Sequence, residues 1–239
     1  LALPQQGLKA LLEKTSFAMA RDDVRYYLNG VLLEWGQEKI RAVATDGHRL
    51  ALMDYPAASG VEDLSVILPR KGIQGLERLL DDTEDPVQLA FSGNHIRLTF
   101  PGIQFKSKLI EGRFPDYRRV IPEMTEKPVQ VDRRGIQQVL KRIAVLSNRK
   151  THGVRLNASA ASLQLTAENP DQEQGTEELE VEYEGDPLEI GFNIDYLQQA
   201  MGALNCEKAI IHLWDSQSSC LILPEEGRTP LYVIMPMRL

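Results

Sequence analysis

The chain is poor in the residues that usually build reactive centres. Among its 239 residues are only two cysteines and four histidines. Cys206 and Cys220 fit neither metal-ligand nor redox spacing, so they read as reduced thiols of a cytosolic protein rather than a disulfide framework. His48, His95, His152 and His212 share no spacing that would assemble a metal site. There is no Gly-rich phosphate loop, no dinucleotide fingerprint, no GxSxG and no HExxH, and nothing calls for a cofactor. No stretch approaches the ~20 consecutive apolar residues of a membrane span, so no membrane partner is expected and the cytoplasm is the expected location. The opening Leu1-Ala2-Leu3-Pro4 has neither an initiator Met nor the basic region of a signal peptide. It reads as an internal cut.

Acid is absent where base is concentrated, and the reverse. The net charge is −7, which at face value argues against a nucleic-acid partner. Yet Arg133, Arg134, Lys141, Arg142, Arg149 and Lys150 follow one another with no acid among them, whereas residues 168–189 hold ten acids and no base. Charge segregated in this way gives one face a positive potential while the remainder stays negative.

What the chain does have is a ground plan used twice. Gly7-Leu8-x-x-Leu11-Leu12-x-Lys14 recurs about 128 residues later as Gly135-Ile136-x-x-Val139-Leu140-x-Arg142. Tyr26-Tyr27-Leu28-Asn29 lines up with Val154-Arg155-Leu156-Asn157, and Ile67–Ile73 with Ile190–Tyr196 at an offset of about 123. Each copy reads as helix, strands, helix, strands, at an ordinary size for one domain. Helix one should begin near Pro4 and bury Leu8, Leu11 and Leu12. Its counterpart should follow an Asp132 cap and bury Ile136, Val139, Leu140 and Ile143. The polar face of that second helix carries only cations and amides, as a helix facing phosphates would. Further helices are expected over about 72–81 and 194–204, the latter capped by Asn193.

The rest reads as strand. Val87, Leu89 and Phe91 alternate into a Ser92-Gly93-Asn94 turn and return through Ile96, Leu98 and Phe100. Leu179, Val181 and Tyr183 alternate with Glu178, Glu180, Glu182 and Glu184, which predicts one strand with a packed face and an acidic one. Residues 120–128, with Pro122 and Pro128, read as the link between copies. The expected fold is α+β, with two helices packed on antiparallel sheets in each of two domains, 1–121 and 122–239.

One segment invites a catalytic reading. Asp46-Gly47-His48 sets an acid, a flexible residue and an imidazole side by side. Asp-Gly between apolar strands is equally a tight-turn signal, and the turn is the expectation here. The apolar terminus Tyr232–Leu239, with Met235 and Met237, reads either as a packed last strand or as an adaptable surface for a partner.

Four separated motifs, Asp23–Gly30 (DVRYYLNG), Ala44–Leu50 (ATDGHRL), Gly112–Tyr117 (GRFPDY) and Met235–Leu239 (MPMRL), resemble the bacterial DNA polymerase III β subunit family of sliding clamps. The resemblance runs from Leu3 to Leu239 and covers the middle and C-terminal domains, with no match to the family's N-terminal domain. It implies two tandem copies of the DNA-clamp fold and a non-catalytic processivity factor. The full-length protein would be a homodimer closing into a ring around double-stranded DNA without sequence preference. The DNA-facing side chains would be Arg133, Arg134, Lys141, Arg142, Arg149 and Lys150 of the second copy. Lys9, Lys14, Arg70, Lys71 and Arg78 would join them from the first, with Arg25, Tyr26 and Tyr27 at the ring face. Upstream of that motif, where family members often carry Gln, this chain has Arg21-Asp22-Asp23.

The resemblance also implies a groove between the copies for short peptides of the DNA polymerase III alpha subunit, the clamp loader and other proteins with the clamp-binding motif. Matching positions in the first copy are Leu28, Thr45, Gly47, His48, Arg49, Leu50, Pro115, Arg119 and Val120. The terminal run Val233, Ile234, Met235, Pro236, Met237, Arg238 and Leu239 completes the set. The rival expectation is a non-catalytic protein-binding adaptor that keeps the groove and does not engage DNA.

Overall fold

The computed structural model describes residues 1–57 and 64–238; Leu239 lies outside them. The chain divides into two units, Leu1–Asp116 and Tyr117–Leu239. The short 3₁₀ turn Tyr117–Val120, expected at the end of the first domain, falls in the second unit, with the Tyr117 ring buried.

In the first unit, β1 (Ala2–Pro4) leads into α1 (Gln5–Glu13), followed by β2 (Gly30–Trp35), β3 (Lys39–Thr45), β4 (Arg49–Pro56) and β5 (Leu64–Pro69). Then come α2 (Arg70–Leu79), β6 (Pro86–Ser92), β7 (His95–Phe100) and β8 (Ile103–Lys108). Strands pair antiparallel in the orders β1-β6-β7-β8 and β5-β2-β3-β4. Helix α1 exists because Leu8, Leu11 and Leu12 recur on one face and are all buried, against α2 with its buried Ile73 and Leu76. Close approach of α2 to β8 depends on missing side chains. A Cβ on Gly72 would stand 2.8 Å from Ser107 Oγ, and one on Gly75 3.1 Å from the Phe105 ring.

The second unit repeats this order element for element. It runs β9 (Val129–Asp132), α3 (Arg133–Ile143), β10 (Gly153–Ser159), β11 (Ser162–Glu168), β12 (Gln174–Glu180) and β13 (Leu188–Asn193). It closes with α4 (Ile194–Ala203), β14 (Lys208–His212), β15 (Cys220–Pro224) and β16 (Leu231–Ile234). Its antiparallel orders, β12-β11-β10-β13 and β16-β15-β14-β9, are the first unit's orders with corresponding strands exchanged. Helix α3 buries Ile136, Val139, Leu140 and Ile143 against α4, and Gln198 Nε2 donates to the Leu140 carbonyl at 3.0 Å. The fold is therefore α+β, with helices packed on antiparallel sheets.

The Glu-rich strand differs from expectation. Alternation continues to Tyr183, but β12 ends at Glu180, and Glu182 forms an isolated bridge with Gln130. Val181 and Tyr183 are both buried outside β12. A period of two marks which side chains are buried; it does not mark where a chain leaves one sheet for another. Cys206 and Cys220 are unbonded to each other, and burial pushes the Cys220 thiol up to about 12. Among the described residues no helix is long and apolar enough to cross a membrane, and no three His, Cys, Asp or Glu side chains gather as metal ligands.

Candidate functional site

In the first unit the Asp46-Gly47-His48 segment is the turn joining β3 to β4, with Thr45 paired to Leu50. Gly47 sits at φ +91, a region L-residues seldom occupy. The Asp46 carboxylate closes the turn on itself. Its Oδ1 accepts from the His48 and Arg49 amides at 2.9 and 3.1 Å, and Oδ2 accepts from Arg49 Nε at 3.1 Å. Thr45 Oγ1 donates to the Arg49 carbonyl at 2.6 Å and accepts from the Gly47 amide at 3.1 Å. Arg49 then reaches back to the Phe17 carbonyl at 2.6 Å and lies over the Phe17 ring. The acid caps a turn and polarises no imidazole, leaving His48 exposed at its tip. Leu50 and Leu28 are buried beneath this region, while Pro115 is exposed.

A second loop, residues 21–29, meets the turn. Asn29 holds its base, accepting from the Asp23 amide at 3.0 Å and donating to the Asp23 carbonyl at 2.9 Å. The Arg25 guanidinium takes both Asp23 carboxylate oxygens, at 3.0 and 2.8 Å, a forked pair of charge-assisted bonds. That donation, with the Arg25 amide as a further donor, draws the Asp23 carboxyl down to about 2. The same Nη2 donates to the Asp46 carbonyl at 3.3 Å. A Cβ on Gly47 would stand 3.2 Å from Nη1 and Nη2. Arg25, assigned from resemblance to the DNA-facing set, thus lies against the turn assigned to peptide. The Asp23-x-Arg25 and Asp46-x-x-Arg49 spacings were the available signals for this arrangement. What they lacked was the reach across 21 residues that joins loop to turn. Tyr26 and Tyr27 meet edge to face, with Tyr26 against Gly112 and more than half exposed. Beside them Val24 is almost wholly exposed.

The helix cations differ in how far they are engaged. Arg70 donates to the carbonyls of Met19 and Ala20 at 3.1 and 2.6 Å, and its burial lowers its pKa. Arg133 donates to the Cys206 carbonyl at 2.8 Å and to Gln137 at 3.0 Å. Arg142 forks onto Glu177 of β12 at 2.6 and 2.5 Å, which raises its pKa and lowers that of Glu177. The two charge blocks segregated along the chain therefore touch at this pair. Lys71, Arg78, Arg134, Lys141, Arg149 and Lys150 are exposed, and Lys9 is half-buried. Among the described residues these seven form no ion pair. Lys14, half-buried at the end of α1, has an interaction partner.

In the second unit the terminal segment leaves β16, where Val233 and Ile234 are buried, and then surfaces at Met235. The Met237 amide donates to the Gly191 carbonyl of β13 at 2.9 Å, with Pro236 half-buried and Arg238 exposed. The segment after Arg119 and Val120 is pinned to the end of β14. The Thr125 amide donates to His212 Nδ1 at 2.9 Å, and Trp214 Nε1 donates to the Glu123 carbonyl at 2.9 Å. Burial lowers the His212 pKa, so the ring stays neutral and accepts.

Two family models match in sequence. Residues 2–116 match the DNA polymerase III beta subunit central domain, and residues 118–238 match its C-terminal domain. The beta sliding clamp of Pseudomonas putida is 48% identical over 238 residues, 99% of this chain and 65% of that protein. The Escherichia coli beta sliding clamp is 46% identical over 237 residues, again 65% of its length. The crystal structure of the DNA polymerase III subunit beta from Pseudomonas aeruginosa superposes with a TM-score of 0.97 at 45% identity, covering all of this chain and 66% of that one. A beta sliding clamp structure from C. crescentus gives 0.94 at 38% identity. The chain thus spans about 65% of the length of the curated relatives it matches. With consecutive matches over both units, this chain belongs to the DNA polymerase III beta subunit, or beta sliding clamp, family, and carries its central and C-terminal domains.

Proposed function

We propose that the chain is the central and C-terminal part of a non-catalytic processivity factor. In this reading each unit is one copy of the DNA-clamp fold, and the whole protein encircles duplex DNA as a ring dimer in the cytoplasm. It tethers the DNA polymerase III alpha subunit and the clamp loader through short peptides. The observation that carries the reading is the repetition, in the same order of helices and strands, of helix–sheet units whose paired helices bear exposed cations that form no ion pair among the described residues. Lys71 and Arg78 from α2, Arg134 and Lys141 from α3, and Arg149 and Lys150 beyond it are the exposed members of the proposed DNA-facing set that form no ion pair among the described residues. Their contacts would be sequence-independent and salt-sensitive, as suits a sliding body. The outer strand β12 and the nearby Val145, 80% exposed, suit a surface that a second copy covers in the ring.

Peptide recognition is assigned in the first unit to the Thr45–Leu50 turn with Leu28 and Pro115. In the second it is assigned to Arg119, Val120 and Val233–Leu239. An apolar anchor would be taken by Leu and Met side chains, and its orientation by backbone groups and Arg. The test is fluorescence polarisation of a labelled Gln-Leu-x-Leu-Phe peptide against this chain and against a version lacking residues 235–239. Micromolar binding that is lost with the tail supports the reading; no binding to the intact chain overturns the peptide assignment. His48→Ala should weaken the peptide and abolish no turnover. A chain that binds peptide but shows no salt-sensitive DNA binding would favour the adaptor, a reading that gains from Arg70, Arg133 and Arg142 being engaged internally.

A further inference from the structure

The register of the repeat matches one sheet face of each unit, position by position. Pro4 and Asp132 both precede a helix, so the pairing of β1 with β6 corresponds to that of β9 with β14, and Gln88 matches Ile210. Followed across the ladders, Ala90 matches His212, Arg97 matches Leu221 and Lys106 matches Val233. Two positions on, Lys108 matches Met235. In the second unit this face is apolar and covered: Leu221 and Val233 are buried, and the Thr125 amide lies on His212. It runs into the terminal segment assigned to peptide. In the first unit the same face is open, with every outward position of β6, β7 and β8 exposed. These three strands contain no acidic residue, and their outward positions include Arg97, Lys106 and Lys108. Arg97 stands across from Lys106, and His95 across from Lys108. Among the described residues none of the three cations forms an ion pair. Glu111, beyond the cationic end, is taken by Asn94 Nδ2 at 2.8 Å.

We infer that the outward face of β7 and β8 is a second peptide-binding surface, which takes an extended acidic segment of a partner protein where the second unit takes an apolar one. This goes beyond the function proposed above, which needs no peptide here. The comparison with the terminal segment rests on that reading; the charge of the face does not. In a chain of net charge −7, three cations with no acid among them make a local positive field. Lys106 and Lys108 lie on one strand, roughly 6.8 Å apart along it, and Arg97 stands on the neighbouring strand about 4.8 Å away. An extended peptide repeats its side chains with the same period, so carboxylates at alternate positions meet both lysines in register. Arg97 adds a fork that fits a carboxylate with two bonds. Gln104, the next outward position of β8, is neutral, so an acidic run of two or three alternate residues fills the cationic stretch. Single-stranded nucleic acid fits less well. Its bases gain from stacking on aromatic side chains, and Phe91, Phe100 and Phe105 lie on the opposite face, Phe105 against Gly75. Exposed charge pairs each add little. The face therefore serves a partner already held by its motif, for which a second weak contact multiplies affinity.

The experiment titrates the peptide Asp-Thr-Asp-Thr-Asp-Thr-Asp into the isotope-labelled chain at low salt and follows backbone amides by NMR. Shifts should concentrate in β7 and β8 and fade as salt is raised. Lys106→Glu combined with Lys108→Glu should weaken binding about tenfold or more, since like charges then face each other. Lys106→Gln combined with Lys108→Gln leaves the strand polar and neutral and should weaken binding about threefold. The labelled Gln-Leu-x-Leu-Phe peptide should bind both variants as it binds the unsubstituted chain, which separates this face from the peptide site proposed above. Should that peptide fail to bind at all, the earlier assignment falls and the acidic-peptide titration still decides this one. Absence of acidic-peptide binding overturns the inference, and so does binding that survives both double variants. Equal or tighter binding of oligothymidylate at the same strands overturns it in favour of nucleic acid. Self-association of the chain that the double Glu variant abolishes would give the face to a second copy and overturn it likewise.

Discussion

The helices of the first unit start on prolines, and those of the second start on capping side chains. Pro4 and Pro69 precede α1 and α2 with no side-chain cap. Asp132 accepts from the Gly135 amide at 2.5 Å, and Asn193 from the Asp195 and Tyr196 amides at 2.9 and 3.3 Å. Yet the first amide of all four helices is satisfied in one way, by a carbonyl elsewhere in its own unit. Gln5 donates to Asp85, Arg70 to Asn29, Arg133 to Glu207 and Ile194 to His152, at 3.0, 3.1, 2.9 and 2.7 Å. The long-range bond belongs to the shared fold, while the local cap is free to vary. A repeated fold therefore conserves burial and tertiary bonds where its sequence shows little in common.

The most severe way to break this equivalence is through the cores. Leu12 and Leu140 occupy matching positions and are fully buried. Leu12→Ala and Leu140→Ala should each lower the unfolding free energy by about 2–5 kcal/mol, read from urea denaturation. A loss below about 1 kcal/mol in one alone would show that the repeat is not energetic. Next come the caps. Asp132→Ala and Asn193→Ala should each cost about 1 kcal/mol and speed amide exchange in the first turns of α3 and α4. Pro4→Ala and Pro69→Ala should leave exchange in α1 and α2 unchanged, acting only through a more flexible unfolded chain.

A smaller effect is read by pH in the first unit. The Asp23 carboxyl of the first unit is held down at about 2 by Arg25. A depressed folded pKa stabilises above the unfolded value and is lost as pH falls through the folded one. Order in the 21–29 loop should therefore persist at pH 4 and vanish towards pH 2, and Arg25→Gln should return the Asp23 titration, followed by NMR, to the ordinary carboxylate range. The smallest effect concerns the Arg142–Glu177 pair. Glu177→Gln should leave the melting temperature unmoved, since exposed pairs add little. The freed cation should steepen the dependence of DNA affinity on log salt by up to about 0.9; an unchanged slope would mean that Arg142 does not face DNA.

Much of this architecture was legible in residue patterns. The Leu8, Leu11, Leu12 and Ile136, Val139, Leu140, Ile143 stripes marked α1 and α3, Asn193 marked a helix start, and Gly93-Asn94 marked the hairpin between β6 and β7. Each is a local signal, carried by residues within a few positions of one another. The sheet change at Glu180 was not legible, because Val181 and Tyr183 keep the same buried alternation after the chain has left β12. Nor was the engagement of Arg70 and Arg133 by distant carbonyls, whose acceptors lie 50 and 73 residues away along the chain. In the Asp46-Gly47 turn, residue type revealed the bend and even its acid, while the role of Arg25 depended on a contact with a loop 21 residues away.

The chain's two tryptophans are divided between the units and differ in surroundings. Trp35 is 3% exposed and stands edge-on to Phe91, whereas Trp214 is 51% exposed with its indole nitrogen on the Glu123 carbonyl. Each unit therefore carries its own intrinsic optical label, a blue-emitting one in the first and a red-shifted, quencher-accessible one in the second. Replacing either by Phe would let the melting of one half be watched without any dye.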